Sequence, residues 1–512
     1  MATKILEMNG SDPRLLLGGL VLGSLFYVIA LRLRTYAARR KIILQHGCKP
    51  PSKYPVWDPF FGVDVIYDAI RAVKRKTFMS EKTSHYNTYG NTHSSRLTTF
   101  PVISTIEPEN IKTVLSTNFK DFVIGTPRQR AFGPVIANSL LVADGIEWEH
   151  SRAFLKPSFA RSQVGDLATL ETHVKNLIEA VPRDGLTVDM AELFLRYTAD
   201  VTTDFMFGES IFSLPHPEAF GGALAEACRI GQLGVERRFR LGIFADFVPQ
   251  RPFYRAVKEV HTYMEAHVGR AIQQRHLQTD NEKDRPKDAG KYVFLNELAK
   301  LTDDRLVLRD QLLGIFLAGR DTTATLLANM FFVLAREPEV WKRLQEEISS
   351  LNGRKPTLDE LKGLKYLGFC LNETLRLYPI IQGSSRVALK DIILPQGGGD
   401  DGKSPVFVAA GTLVIFHFMS LHRRKDLWGD DADEFRPERW QDEKASWNFL
   451  PFGGGPRNCI GQQFALTEAS YTVVRLLQEF SGIESRDAQP WTESVGVTCT
   501  SANGAKIAMV AR

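Results

Sequence analysis

Residues 306–334 constrain this chain more than any other stretch. Leu306 through Leu334 is a long apolar run broken by one small polar island. Thr302-Asp303-Asp304 offers N-caps before it, and Pro338 stops it. As a helix rising 1.5 Å per residue it spans roughly 45 Å. From Leu312 onward it is hydrophobic almost all round. A helix with no polar face must run through the middle of a large core. No internal repeat or second linker interrupts residues 56–512, so one large domain is expected to enclose it. A second helix, Leu364 to Leu377, is ended by Pro379. Short β signals follow at 392–394, 406–408 and 413–415, separated by glycine and proline turns. The polar stretch Gln278 to Lys291 reads as a solvated loop. The fold class is mostly α with a small sheet.

The N-terminus carries a different signal. Leu15 to Leu31 is an uncharged apolar run at the short end of the length that spans a bilayer. It ends in Arg-Leu-Arg rather than at a small-residue cleavage site, which favours a retained anchor over a signal peptide. The expected division is a short luminal terminus (1–14), a transmembrane helix (15–31), a basic, proline-containing linker (32–55) and a catalytic body (56–512). Residues 1–53 hold a net charge of +7 within a total of +5, which leaves the body at −2. The body therefore lacks the basic footprint of a nucleic-acid binder. The heavier positive flank follows the helix, which puts the body in the cytosol. Five cysteines, none in a C-x-x-C pair, exclude a disulfide scaffold and a zinc ribbon, and suit a reducing compartment.

One motif is a decoy. Gly397 to Ser404, GGGDDGKS, matches the phosphate-loop pattern G-x-x-x-x-G-K-[ST]. That chemistry needs a helix after the loop. Here Pro405-Val406-Phe407-Val408 reads as a strand, and Asp400 and Asp401 would repel phosphate.

The stretch that carries chemistry is Phe452 to Gly461, FGGGPRNCIG. Three glycines and a proline bend the backbone before Cys459, and a helix starts just after it. A thiol at a helix N-terminus is pushed toward thiolate. A thiolate presented on a glycine loop is a good axial ligand for haem iron. Arg457 is placed to pair with a haem propionate, and Phe452 to keep water from the sulfur.

This loop resembles the cysteine loop of the cytochrome P450 family, F-x-x-G-x-R-x-C-x-G, through Phe452, Gly455, Arg457, Cys459 and Gly461. Other family landmarks fall in order. Glu373 and Arg376 supply E-x-x-R, and the later Phe435-Arg436-Pro437-Glu438-Arg439-Trp440 supplies Arg439. The resemblance implies that these three form a buried network behind the haem loop. E-x-x-R alone means little, since Glu149/Arg152, Glu226/Arg229 and Glu282/Arg285 share it. Trp148 and Arg152 match W-x-x-x-R, and with Arg386 they would contact propionates. In Ala318-Gly319-Arg320-Asp321-Thr322-Thr323, the small residues would leave room for dioxygen. Thr322 would donate a hydrogen bond to the activated oxygen, and Asp321 would connect that hydroxyl to bulk protons. The bland reading is a polar break whose threonines bond back to the preceding turn.

The likeness covers residues from about 50 onward, and is closest to the fungal membrane-bound group that hydroxylates n-alkanes and fatty acids. It implies the cytochrome P450 fold, haem b, and single-pass residence in the endoplasmic reticulum membrane. It implies a monooxygenase that uses O2 and electrons from a separate NADPH-cytochrome P450 reductase. The implied substrate is a hydrophobic small molecule, a long aliphatic or fatty-acid-like chain oxidised at or near its end. The runner-up is tailoring of a fungal specialised metabolite of polyketide or lipopeptide origin. A haem-thiolate isomerase or dehydratase, or a haem sensor, would leave Asp321-Thr322 without purpose. Leu312, Leu313, Phe316 and Leu317, with Ile380 and Ile381, either line a narrow pocket or are plain core. The stretch 380–385, IIQGSS, departs from the group's Pro-Arg-Asn type of sequence, and Gln382, Ser384 and Ser385 add polarity.

Overall fold

The computed structural model describes residues 13–159, 165–216, 223–279, 292–443 and 446–512. Most of the expected luminal terminus and of the expected polar loop lies outside these residues, and Pro13 and Arg14 already belong to the first helix.

The helices that position the site are α1 (Pro13–Gln45), α2 (Val63–Arg75), α3 (Phe78–Tyr89), α4 (Gly145–Leu155) and α5 (Met190–Phe207). They are followed by α6 (Ala223–Leu241), α7 (Arg251–Thr279), α8 (Arg305–Leu334), α9 (Lys365–Leu377) and α10 (Gln462–Glu479). The strands that matter are β1 (Ser52–Lys53), β2 (Thr92–Leu97), β3 (Phe100–Thr105), β4 (Phe122–Val123), β5 (Gly383–Ala388), β6 (Ile392–Gly398), β7 (Ser404–Val408) and β8 (Leu413–His417). The six-stranded sheet runs β1-β2-β3-β8-β5-β4. Within it β3 lies parallel to β8, with Val102 opposite Leu413, and β5 lies antiparallel, with Arg386 opposite Val414.

α8 is the expected central helix. Its N-cap Asp304 accepts the N–H groups of Leu306 and Val307 at 2.9 and 3.1 Å. It ends at Leu334, so Pro338 does not stop it; Pro338 is the first residue of the next helix. α8 packs along α5 and is flanked by α7, α9 and α10. Two cores meet on it. Leu312, Leu313 and Phe316 join Val260, Met264 and Phe294 in one. Leu326, Phe331 and Leu334 join Phe194, Leu371 and Leu477 in the other. Gly319 matters for close approach: a Cβ there would come within 3.2 Å of the Thr202 hydroxyl on α5. The expected room for dioxygen is thus also the space into which α5 packs.

The GGGDDGKS decoy is a hairpin turn. β6 and β7 pair antiparallel on either side of it, with Gly398 opposite Ser404. No helix follows, as the sequence argument required.

α1 does not stop at Leu31. Residues 32–45 contain no glycine or proline, and the helix continues until the turn at Gly47. Leu20–Gln45 is long and apolar enough to cross a membrane, with none of it buried against the body. The stretch expected to be a linker is therefore divided. Its first part is helix, and its second part is pinned to the body rather than a free spacer. Arg39 makes a bidentate pair with Asp391, both bonds at 2.9 Å. The Lys49 N–H donates to Pro405 O at 2.9 Å, and β1 pairs with β2.

Candidate active site

The cysteine loop closes on itself before α10 begins. The Cys459 N–H donates to Phe452 O at 2.9 Å. Gly455 has φ +68°, and a Cβ there would lie 1.8 Å from Leu115 O, so only glycine fits. Phe452 is half-buried against the core that holds α9 and α10. Cys459 is exposed, and the space it faces is an interior cavity of about 720 Å³. Burial pushes its thiol up, against the lowering effect of the Gly461 N–H and of Arg152. The Gly461 N–H at the helix start favours the thiolate, as the sequence argument has it, and burial opposes it. Bonding to a metal deprotonates a coordinating thiol outright.

Arginines surround the loop. Arg457 donates to Ala143 O and to Asp144 Oδ1, both at 2.9 Å, and lies 4.6 Å over the Trp148 ring. Arg152, one turn on from Trp148 along α4, donates to Asn458 O at 2.8 Å and to Asn458 Oδ1 at 2.7 Å. Arg386 is buried in the cavity wall and donates to Ser385 O at 2.7 Å and to the Ser384 hydroxyl at 3.1 Å. Burial and the like charges of Arg128 and Arg457 lower Arg386 to about 9, while Asp144 opposes them. Arg457 falls to about 10, again with burial as the largest cause. Arg128, Arg386 and Arg457 thus share Asp144 as their carboxylate, while Arg152 has none among the described residues. Such an excess of buried cation calls for anions. Arg128 and Asp144 were missed in the sequence because neither belongs to a recognisable pattern.

Behind the loop, Glu373 is fully buried. It accepts from Arg376 Nη2 at 2.8 Å and Nε at 2.9 Å, from Arg439 Nε at 2.9 Å, and from Trp440 Nε1 at 3.0 Å. Arg376 also donates to the carbonyls of His422 and Ala432. The other E-x-x-R copies behave differently. Glu226–Arg229 is an exposed surface pair. Arg152 turns from Glu149 to the cysteine loop, and Glu282/Arg285 lies outside the described residues. Trp440, the residue directly after Arg439, is a partner to which the sequence reading gave no role.

Across the cavity from these groups, α8 contributes Leu313, Leu317, Ala318, Asp321 and Thr322 to the lining. Ile380, Ile381, Gln382, Ser384 and Ser385 line it as well. Leu312 and Phe316 do not; they face the core against α7. Leu313 and Leu317 are four residues apart and share a face, whereas Leu312 and Phe316 lie about 100° round the helix. The Thr322 hydroxyl donates to Ala318 O at 2.6 Å, the back-bond of the bland reading. The Asp321 carboxylate accepts from Gln232 on α6 and lies 3.5 Å from Arg320. Burial raises Asp321, with Arg320 and Gln232 opposing.

Residues 60–505 match the family model of cytochrome P450. The chain belongs to the cytochrome P450 family. It is 44% identical to cytochrome P450 monooxygenase himC of Aspergillus japonicus, over 91% of this chain and 84% of that one. It is 40% identical to cytochrome P450 monooxygenase fsdH of Fusarium heterosporum, over 98% and 90%. It is also 39% identical to cytochrome P450 52A13 of Debaryomyces hansenii, over 89% and 90%. The P450 is therefore a monooxygenase whose cofactor is a haem with an axial cysteine thiolate. The residues present fit that group. Cys459 opens onto the cavity, and the arginine cluster has the charge that propionates would balance. At Gly461 a Cβ would meet only the Phe159 ring, at 3.7 Å, so the space beside it belongs to the cavity.

Proposed function

We propose that the P450 hydroxylates long aliphatic, fatty-acid-like chains at or near their ends. One observation carries this reading: Leu313, Leu317, Ile380 and Ile381 line the same cavity as the Cys459 thiol and Thr322. Cys459 holds the iron. Arg152, Arg386 and Arg457, with Arg128 and Trp148, seat the propionates, and Gly461 leaves space beside Cys459. The bound haem supplies oxygen activation, helped by electron push from the thiolate. The Thr322 hydroxyl, which donates to Ala318 O, lines the cavity and would be the group that holds a proton there when haem is bound. Asp321 holds its proton to higher pH than an exposed aspartate, and passes it toward that hydroxyl. Glu373, Arg376 and Arg439 keep the loop in place.

Thr322→Ala tests the proton role. The variant should keep haem and substrate binding but divert NADPH equivalents to hydrogen peroxide. An unchanged ratio of product to NADPH consumed contradicts it.

A second reading is supported by one feature of the far wall. Gln232, Glu236 and Arg240, spaced by four along α6, all line the cavity. They suit an oxygenated chain, such as a specialised-metabolite precursor. A spin-state screen of simple lipids against oxygenated aliphatic chains decides between the readings; a shift by the oxygenated chains alone favours the second.

The body lies on the cytosolic face of the endoplasmic reticulum, anchored by α1 and fed by a separate NADPH-dependent reductase. Trp57, Phe60 and Phe247 are 78%, 74% and 83% exposed, and Phe61 sits 6.3 Å from Phe244. These aromatics give the body a second apolar contact with lipid. Deleting residues 1–34 should weaken attachment without losing haem. Release of the full-length protein by carbonate would contradict the anchor.

A further inference from the structure

Part of the cavity wall plays no role in the chemistry described so far. α2, α3 and β2 pack against one another. α2 contributes the apolar side chains Val65, Ile66, Ala69 and Val73 to the lining. α3 and β2 contribute Lys82, His85 and His93.

Lys82 is half-buried. Among the described residues its ammonium group has no hydrogen bond and no carboxylate within 4.0 Å; it lies 5.4 Å from the Phe78 ring centroid. Asp68 and Glu81 act on it from farther away. Asp68 is exposed, so solvent screens it, and Glu81 accepts the Thr77 hydroxyl at 2.6 Å. The neighbouring histidines are not counter-charges or competing cations. Burial lowers His85 and His93 to about 4 and His417 to about 3, so all three are neutral near pH 7. His417 Nδ1 is taken by the Tyr86 hydroxyl at 2.8 Å, while His85 only packs its ring 4.8 Å from that of Tyr54.

The other cations of the wall are different. Arg240 is paired with Glu236 and donates to Val495 O at 3.0 Å. Arg130 lies 3.5 Å from Asp246. Arg128, Arg152, Arg386 and Arg457 cluster around the cysteine loop. Away from that loop, Lys82 is the lining cation that lacks a partner among the described residues. The half-buried ammonium group faces the cavity with no fixed counter-charge, and partial burial presses its pKa down. A ligand that brings the opposite charge supplies one.

We infer that Lys82 anchors the carboxylate of an acyl-chain substrate, with His85 as an additional hydrogen-bonding group and the α2 side chains holding the adjacent methylenes. This rests on the aliphatic reading above and narrows it. Free long-chain acids bind by a charge-assisted contact that alkanes and esters cannot make.

The test uses full-length haem-loaded protein and reads the spin-state shift. The ligands are hexadecanoic acid, its methyl ester and hexadecane, titrated into wild type, Lys82→Met and Lys82→Arg. Loss of one charge-assisted bond should weaken the acid about tenfold or more in Lys82→Met. The ester and the alkane should stay within about twofold, since neither brings a charge to pair, and Lys82→Arg should recover most of the loss. Equal weakening of all three ligands would make Lys82 a structural residue and overturn the inference. If the ester and alkane bind and the acid ignores the substitution, the anchor fails while the aliphatic reading stands. If none of the three binds wild type, both fail.

Discussion

The two sides of the cavity are built differently. On the cysteine side the loop and the network behind it are tied down by many fixed hydrogen bonds. Gly455 is held against Leu115 O, Arg152 against Asn458, and Arg457 against Asp144. Glu373 gathers two arginines and a tryptophan behind them. On the opposite side the wall mixes leucines and isoleucines with Gln232, Glu236, Gln382 and Lys82, several of them without full partners. The Gln382 Oε1 atom, for example, is buried and unbonded. The first side holds a constant group in one geometry, and each substitution there breaks several contacts. The second side meets a variable group, and side chains there can change while the fold stays.

Breaking the fixed side should have the largest effect. Glu373→Gln leaves Arg376 in a fully buried site without a counter-charge, and Arg439 with Asp431 alone at 3.4 Å. Removing one partner of a buried ion pair costs about 3–5 kcal/mol. Denaturant unfolding should show a loss of that order, with poor haem retention. A loss below about 1 kcal/mol, the worth of a surface pair, would mean the network is not the strut of this side.

Neighbouring positions on α8 sharpen the contrast. Phe316→Ala removes a ring from the closed core beside α7 and should cost about 3–5 kcal/mol in stability. Its effect on the spin-state shift of a bound lipid should be small. Leu317→Ala, on the cavity face, should reverse the pattern, with weaker lipid binding and a smaller loss of stability.

These two positions also show how far the sequence could be read. Residues 312–334 announced a buried helix because they lack a polar face. They could not announce which leucine faces a cavity, because a helix apolar all round carries no mark of orientation. The cysteine loop was legible because its glycines, Arg457 and Cys459 are adjacent in sequence. Arg128 and Asp144 reach the same site from a distant segment, so no local pattern exposed them. α1 ran past Leu31 because the apolar boundary, which the sequence shows, is not a helix boundary.

A smaller effect concerns pH. Glu468 on α10 is buried with an unbonded Oε1, and burial raises it to about 8. The unfolded chain ionises it near the ordinary carboxyl range, at about 4.3. Between these values the folded state holds the extra proton, so stability is full at low pH and declines as pH rises toward about 8. Glu468→Gln should flatten that part of the thermal midpoint against pH. An unchanged slope would assign the decline to other groups.

The central claim is that Cys459 supplies the thiolate. Cys228 is the strictest control, because it also lines the cavity, but it sits on α6 with its thiol pushed up to about 11 by burial. The carbon-monoxide difference spectrum of the reduced haem protein should be recorded for Cys459→Ala and Cys228→Ala. The account predicts that the red-shifted Soret band of thiolate ligation disappears in Cys459→Ala and persists in Cys228→Ala. Retention of the band in Cys459→Ala would contradict it.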